Sequence, residues 1–267
     1  MEVWMGGYFG TDKQRRLQAQ AEEAADFIAR TAGACQAGRT MGCDDPKLFG
    51  WQAIAEIVAR DGVCGFRMID TADVPEIKAE LAARGCRFDT WDVFVGEGET
   101  ALAASRRITA APWPEGLSLW PTPDDGEDQQ IRDTQGLMAS AGLVPFSGSM
   151  LVGKLGPAVT VTLGDAFGIV AAAHAYMPHN AFSRFHAYAW GGLVAVRPSH
   201  RGQGLGKLVN ALLIEQLFGA LPASHVYELV SASNNASRRM VEACGLRHAP
   251  ELTCGIATAQ QNDRFTA

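Results

Sequence analysis

One segment restricts the fold more than any other: Val194-Ala195-Val196-Arg197-Pro198-Ser199-His200-Arg201-Gly202-Gln203-Gly204-Leu205-Gly206-Lys207. An apolar strand runs into a glycine-rich loop, and the loop runs directly into an amphipathic helix. A helix start leaves its first backbone N–H groups unpartnered and carries partial positive charge. Glycines there let an anion approach the backbone closely, so the segment suits a pyrophosphate. Two common phosphate loops do not fit it. A P-loop requires Gly, four residues, then Gly-Lys-Ser/Thr; here Arg201 stands five before Gly206, and Leu208 follows Lys207. The dinucleotide fingerprint requires G-x-G-x-x-G, whereas Gly202, Gly204 and Gly206 give G-x-G-x-G. A plain turn accounts for one or two of these glycines, not for three alternating ones flanked by Arg201 and Lys207.

The spacing that fits is Arg/Gln-x-x-Gly-x-Gly/Ala, preceded by Val-x-Pro. A second segment accompanies it: Ser233-Asn234-Asn235-Ala236-Ser237-Arg238-Arg239-Met240-Val241-Glu242-Ala243-Cys244-Gly245-Leu246. In this order and at this distance, the two resemble the acetyl-CoA loop and the Asn-x-x-Ala helix of the GNAT superfamily of N-acetyltransferases. The resemblance covers roughly residues 116–267. It implies an α/β GNAT fold, a mixed, twisted, splayed sheet flanked by helices, over residues 113–267. Residues 1–112 form an expected second domain, mainly helical or α+β. The prolines of Thr109–Pro114 mark the linker.

The resemblance also implies a site. Backbone groups of Val194, Ala195 and Val196 pair with the pantetheine arm of acetyl-CoA as an added strand would. The N–H groups of Arg201, Gly202, Gln203, Gly204, Leu205, Gly206 and Lys207 cradle the pyrophosphate. Asn234 contacts the arm, with Ser237 one turn on. Lys207 either adds charge near a phosphate or is a solvated lysine, and Arg238 and Arg239 read as a solvated helix face. The expected reaction is acetyl transfer from acetyl-CoA to a primary amine of a small molecule or peptide, by direct attack in a ternary complex.

Proton transfer is where the sequence leaves the pattern. The family's usual tyrosine falls on Val241, its strand glutamate near Ala189, and a second acidic position on Leu229. Glu228 is one residue away from the last, on the opposite face of a strand. His186 and Tyr188, on one face of an expected strand Phe185–Val196, are the leading candidates for catalysis; Tyr176 on the strand before it and His179, His200, His225 and His248 are also available. These apolar substitutions motivate the alternative of a non-catalytic acyl-CoA-binding or sensing module; a purely structural unit would bind nothing. The acceptor site is expected between the Val144–Pro157 and Tyr176–Phe185 loops and the first domain. Phe146, Met150, Met177, Phe182, Phe185 and Trp190 are candidates for its wall or for ordinary core.

Composition narrows the classes. The 267 residues include 47% hydrophobic and 19% charged residues, as in ordinary globular chains. A net charge of −6 argues against nucleic acid as a partner. Neither a membrane span nor a secretory signal is read from the sequence, and the six cysteines form no C-x-x-C pair. The expectation is a cytoplasmic protein with free thiols and no metal, with a homodimer as one mode of association.

Along the chain, residues 12–60 read as helical, with a break around Gly38–Gly42. Asp45-Pro46 starts a helix whose buried face is Leu48, Trp51, Ala55 and Val58. Strands are expected at Cys64–Ile69, Trp91–Val95, Gly116–Trp120, Val159–Leu163, Phe167–Tyr176 and His225–Val230. Gly164-Asp165 reads as a hairpin turn, and Arg247–Thr258 as the last strands.

Overall fold

The computed structural model describes residues 7–259. The first region forms α1 (Asp12–Glu23), α2 (Ala25–Arg30), β1 (Ala34–Ala37), β2 (Thr40–Cys43), α3 (Pro46–Phe49), α4 (Trp51–Asp61), β3 (Val63–Asp70), α5 (Val74–Ala83), β4 (Cys86–Glu97) and α6 (Gly98–Thr109). There follow β5 (Ser118–Trp120), α7 (Gln129–Ser140), α8 (Gly148–Leu151), β6 (Ala158–Asp165), β7 (Gly168–Tyr176) and β8 (Tyr188–Val196). The chain closes with α9 (Leu205–Ala220), β9 (His225–Val230), α10 (Asn235–Ala243) and β10 (Arg247–Ala259).

Among the described residues, ten strands form one mixed sheet in the order β1-β2-β3-β10-β4-β9-β8-β7-β6-β5. β2 with β3 and β8 with β9 are its parallel pairs. With β6 and β5 set aside, the order is palindromic about the junction of β10 and β4. β1-β2-α4-β3-α5-β4 follows the same path as β7-β8-α9-β9-α10-β10, and the two units exchange their last strands. β4 therefore lies hydrogen-bonded between β9 and β10, joining what the sequence assigns to separate regions. The expected boundary at residues 112–113 falls in the connection between α6 and β5, where Trp113 donates to the Thr109 carbonyl at 3.0 Å.

Helices cover both faces. Leu205, Leu208, Leu212, Leu213 and Leu217 of α9 pack with Val226, Val230 and Val241 in a core shared with α6 and α10. On the opposite face, Ile131 and Met138 of α7 and Met150 of α8 pack with Tyr176, Trp190 and Tyr227. A third core joins Ile54 and Ile57 of α4, Ile77 and Leu81 of α5, and Phe66 of β3.

Several expectations change. The break around Gly38–Gly42 is the hairpin β1–β2, so residues 12–60 are not continuously helical. Asp45 caps α3 through Leu48 N–H at 2.9 Å, as Asp-Pro predicts. The helix then breaks at Gly50 (φ +92°), which leaves Leu48 59% exposed; Val58 is buried as expected, but Ile54 and Ile57 rather than Trp51 and Ala55 complete the buried face. The β6–β7 turn is Ala166-Phe167, because Asp165 pairs with Gly168. Asp165 accepts from Phe167 N–H at 2.7 Å and so supports that turn. β10 is a single strand.

The sheet edge of the first region reaches back to the second. Cys35 bridges to His179, and Gln36 N–H donates to the Pro178 carbonyl at 2.9 Å. The Tyr176 hydroxyl accepts from Gly38 N–H at 2.7 Å and donates to the Gln36 carbonyl at 3.1 Å. Asn180 Nδ2 donates to the carbonyls of Ile28, Thr31 and Ala34 at 2.7–2.9 Å. The exchanged strands make a prediction. Residues 113–267 expressed alone lack β4 and leave edges of β9 and β10 unpaired, so circular dichroism and native gels should find an unfolded or aggregated fragment. A monomeric fragment with a cooperative melt would contradict the exchange.

Candidate active site

β8 and β9 run together for three pairs only: Tyr188 with His225, Ala189 with Val226 and Trp190 with Tyr227. Beyond them β8 pairs with β7 and β9 with β4, so the strands part. Gly191 and Gly192 stand where they part. A side chain at 192 would collide with the Trp190 ring at 2.6 Å, and one at 191 would touch Glu228 Cγ at 3.4 Å. β8 bulges against β7 between the partners of Ala172 and His174, and Leu193 takes φ +51°. Such a φ is costly for a branched residue and marks a backbone held in an unusual course. The inner edge of Gly191–Val196 is thus backbone without a strand beside it.

The predicted loop follows directly. Arg197 N–H donates to the Val170 carbonyl at 2.8 Å, and a short turn over Pro198–His200 leads to the glycines. His200 Nε2 lies 3.2 Å from Asp165 Oδ2, which ties the loop's base to the β6–β7 turn. Gly202 and Gly204 have φ +78° and +80°, with open space where a Cβ would stand. No side chain caps the start of the sixteen-residue α9. Its first N–H groups therefore face a bare, concave backbone, and this geometry fits a pyrophosphate. Gly206 packs against Met240 and Val196. Arg201 and Lys207 are exposed, and among the described residues neither makes an ion pair. Asn234 caps α10 by accepting from Ser237 N–H at 3.0 Å, which leaves its amide N–H groups to donate. Arg238 differs from expectation: it binds Asp92 at 2.6 Å and lies 5.0 Å over the Phe94 ring, pinning α10 to β4.

Where the strands part, each face presents different chemistry. Towards α9 and α10 stands Glu228, buried, its Oε1 accepting from Asn210 Nδ2 at 2.8 Å. Burial raises its carboxyl pKa to about 7, and the Asn210 bond offsets part of the rise. Ala189 and Val241 are buried in the apolar core of this same face. Leu229 faces the other way, as strand alternation requires.

The opposite face carries Trp190, Tyr176, Phe146 and His174, with ring centroids 5.4–5.8 Å apart along Trp190–Tyr176, Trp190–Phe146, Phe146–Tyr176 and Phe146–His174. The Thr160 hydroxyl donates to the Leu151 carbonyl and so accepts from His174 Nδ1 at 2.8 Å. His174 Nε2 is then a bare acceptor, and burial lowers the ring's pKa to about 3. Trp190 Nε1 is an enclosed donor without a partner. Behind them, Tyr227 O–H meets His179 Nε2 at 3.3 Å, and His179 Nδ1 binds Asp44 Oδ2 at 2.6 Å. Burial lowers the His179 pKa and Asp44 opposes that, while burial pushes the Tyr227 hydroxyl well up. Cys35, Asp44 and His179 have ligand atoms within 4.8 Å of one another. Burial keeps the Cys35 thiol protonated, and Asp44 already occupies Nδ1, so the trio reads as a hydrogen-bonded chain rather than a metal centre.

The sequence candidates for catalysis lie outside this junction. The strand expected from Phe185 begins at Tyr188, so His186 is not on it; it sits exposed in a turn, bonded to the Ser183 carbonyl at 3.0 Å. Tyr188 occupies the closed end of the parallel pair, stacked on His225 at 4.3 Å. Among the expected wall residues, Phe146, Met150, Phe185 and Trp190 line the aromatic face, Met177 joins the α9 core, and Phe182 is 61% exposed. Glu228 and Arg67 had one sequence signal each, a lone charge inside an apolar strand. His179 stood out only as one of several available histidines, and Asp44 had no signal.

Residues 148–246 match the model of the acetyltransferase (GNAT) family. A search of the curated proteins finds no match. Among solved structures, the fold is similar to a GCN5-related N-acetyltransferase from Kribbella flavida, at 15% identity, TM-score 0.56, over 92% of this chain and 96% of that one. It is similar to a Drosophila protein at 15% identity, TM-score 0.58, over 94% and 89%. A tandem GNAT protein from the clavulanic acid biosynthesis pathway aligns at 15% identity, TM-score 0.50, over 85% and 78%.

Glu228 gives a test of this environment. Its folded pKa lies above the unfolded 4.5, so its stabilising proton is fully held below about pH 4.5 and lost as pH rises through about 7. Denaturant unfolding at pH 5 and pH 8 should show Glu228→Gln gaining up to about 3 kcal/mol on wild type at the higher pH. An equal difference at both pH values would contradict a raised pKa.

Proposed function

The C-terminal part of the chain carries a GNAT-family acetyltransferase domain, and from that premise we propose that the protein transfers an acetyl group from acetyl-CoA to an amine. The observation that carries the reading is the parting of β8 and β9 immediately before the glycine loop and α9. An extended pantetheine arm would complete the inner edge of Gly191–Val196 as a missing strand does. The N–H groups of Arg201–Lys207 would hold the pyrophosphate, with Asn234 donating from the start of α10.

Such an arm sets the thioester between the two faces where the strands separate. The amine nitrogen bonds to the carbonyl carbon and the carbon–sulfur bond breaks. The incoming ammonium must first lose a proton. On the aromatic face the Tyr227 oxygen takes that proton while its own passes to neutral His179 Nε2, and Asp44 stabilises the imidazolium formed. The departing thiolate needs a proton in return. Glu228, titrating near neutrality, supplies it from the α9–α10 face, where Val241 has none to give. Overall, ammonium and thioester yield amide, thiol and one released proton. Holding amine and thioester together accounts for much of the rate.

The apolar Ala189 and Val241 favour one other reading, a module that binds acyl-CoA without turnover. Purified protein with acetyl-CoA and an amine panel separates the two: CoA release above background supports transfer, and saturable binding with no release supports sensing. Gly204→Val places a side chain in the anion's path, at a φ of +80° that strains it, and should lower the melting temperature and weaken acetyl-CoA binding by calorimetry more than about tenfold in protein whose circular dichroism shows it folded. Unchanged affinity would remove the loop from the site. His179→Gln should lower kcat by about 10²-fold while leaving the acetyl-CoA KM alone; an unchanged kcat would dismiss the relay.

A further inference from the structure

Arg67 is a charged residue whose guanidinium meets the Tyr176 hydroxyl and the Cys254 thiol but no carboxylate. It lies inside β3 in the apolar run Val63-Cys64-Gly65-Phe66-Arg67-Met68-Ile69. Its guanidinium sits among the hydroxyls of Tyr176 and Tyr227 and the thiols of Cys35 and Cys254. Nε is enclosed and bonds to nothing. Among the described residues no carboxylate lies within ion-pair distance of it. Asp44 belongs to the same cluster but is held by His179 at 2.6 Å. An arginine remains charged at any physiological pH, and enclosing that charge without a counter-ion is strongly unfavourable. The residue is half-buried.

Its position says what. Tyr227 forms the last pair before β8 and β9 part, and Tyr176 packs on Trp190 at 5.4 Å across from it. Arg67 therefore stands behind the aromatic face that receives the amine in the reading above. We propose that Arg67 binds a carboxylate of the acceptor, so that the substrate is an amino-acid-like amine rather than a simple alkyl or aryl amine. This rests on the assignment of that face to the acceptor. One guanidinium flanked by two neutral hydroxyls matches a monoanion that accepts two parallel hydrogen bonds. A phosphate dianion would need more positive charge, and the neighbouring Asp44 opposes it. Trp190 Nε1 and His174 Nε2 are an unpartnered donor and acceptor on the same face. Arg67 comes from the first region and the parted strands from the second, so the acceptor site is complete only when both are present.

The test compares matched pairs. Each of the twenty protein amino acids and its carboxamide is offered to the full chain with acetyl-CoA, and kcat/KM is measured. At least one acid should be preferred over its amide by about 100-fold. Arg67→Met should bring that ratio to near one, and Arg67→Lys should keep part of it. Thermal shift with the corresponding N-acetyl amino acids and their amides, without turnover, reads the same preference. It separates failure of this proposal from failure of the acetyl-transfer assignment. A wild-type enzyme that treats every acid and amide alike, in turnover and in thermal shift, would overturn the proposal. So would a folded Arg67→Met variant that keeps the wild-type ratio. If Arg67→Met does not fold, the wild-type ratio and Arg67→Lys decide.

Discussion

The site depends on a sheet that stops pairing. Backbone N–H and C=O groups in a buried strand are ordinarily all bonded, because leaving one unmade costs as much as losing a hydrogen bond. Here β8 and β9 abandon each other after three pairs, and each is kept in place by its other neighbour. Gly191 and Gly192 put no side chain in the gap, and Leu193 bends β8 away at a positive φ. The unpaired edge, the glycine loop and the start of α9 are then consecutive parts of one chain path. An extended ligand ending in a pyrophosphate answers all three at once.

The exchange of β4 and β10 explains why one such site exists in a sheet with two parallel pairs. The first unit repeats the path of the second, yet the segment between its parallel strands reads Asp44-Asp45-Pro46-Lys47-Leu48-Phe49-Gly50. Two carboxylates at that turn repel an anion, and Asp45 spends its side chain capping α3. The unit contributes to the proposed acceptor face instead. Cys35, Asp44 and Arg67 stand against Tyr176, His179 and Tyr227, and the bridge from Cys35 to His179 holds the two together.

What could be read from the sequence was local. The loop and the Asn-capped helix declare themselves in contiguous residues, because glycine spacing and capping act within one turn. The Asp45 cap and the strand His225–Val230 are legible for the same reason. The hairpin β1–β2 was missed because its four-residue strands, broken by Gly38 and Gly42, have a loop's composition. The place of β4 could not be read, because its partners lie more than a hundred residues further along the chain. His186 was misplaced by a strand boundary off by three residues, from Phe185 to Tyr188. Glu228 was visible, and alternation correctly turned it from the face of Leu229. Only the packing of Asn210 and the Val241 core gives that face a role.

The central claim is that the parted strands and the glycine loop form one ligand path. A crystal structure of the full chain with acetyl-CoA tests it most directly. The account predicts an arm hydrogen-bonded to backbone between Gly191 and Val196, a pyrophosphate on the N–H groups of Arg201–Lys207, and a thioester between Tyr227 and Glu228. Acetyl-CoA bound elsewhere, with β8 and β9 still parted around empty backbone, would contradict it.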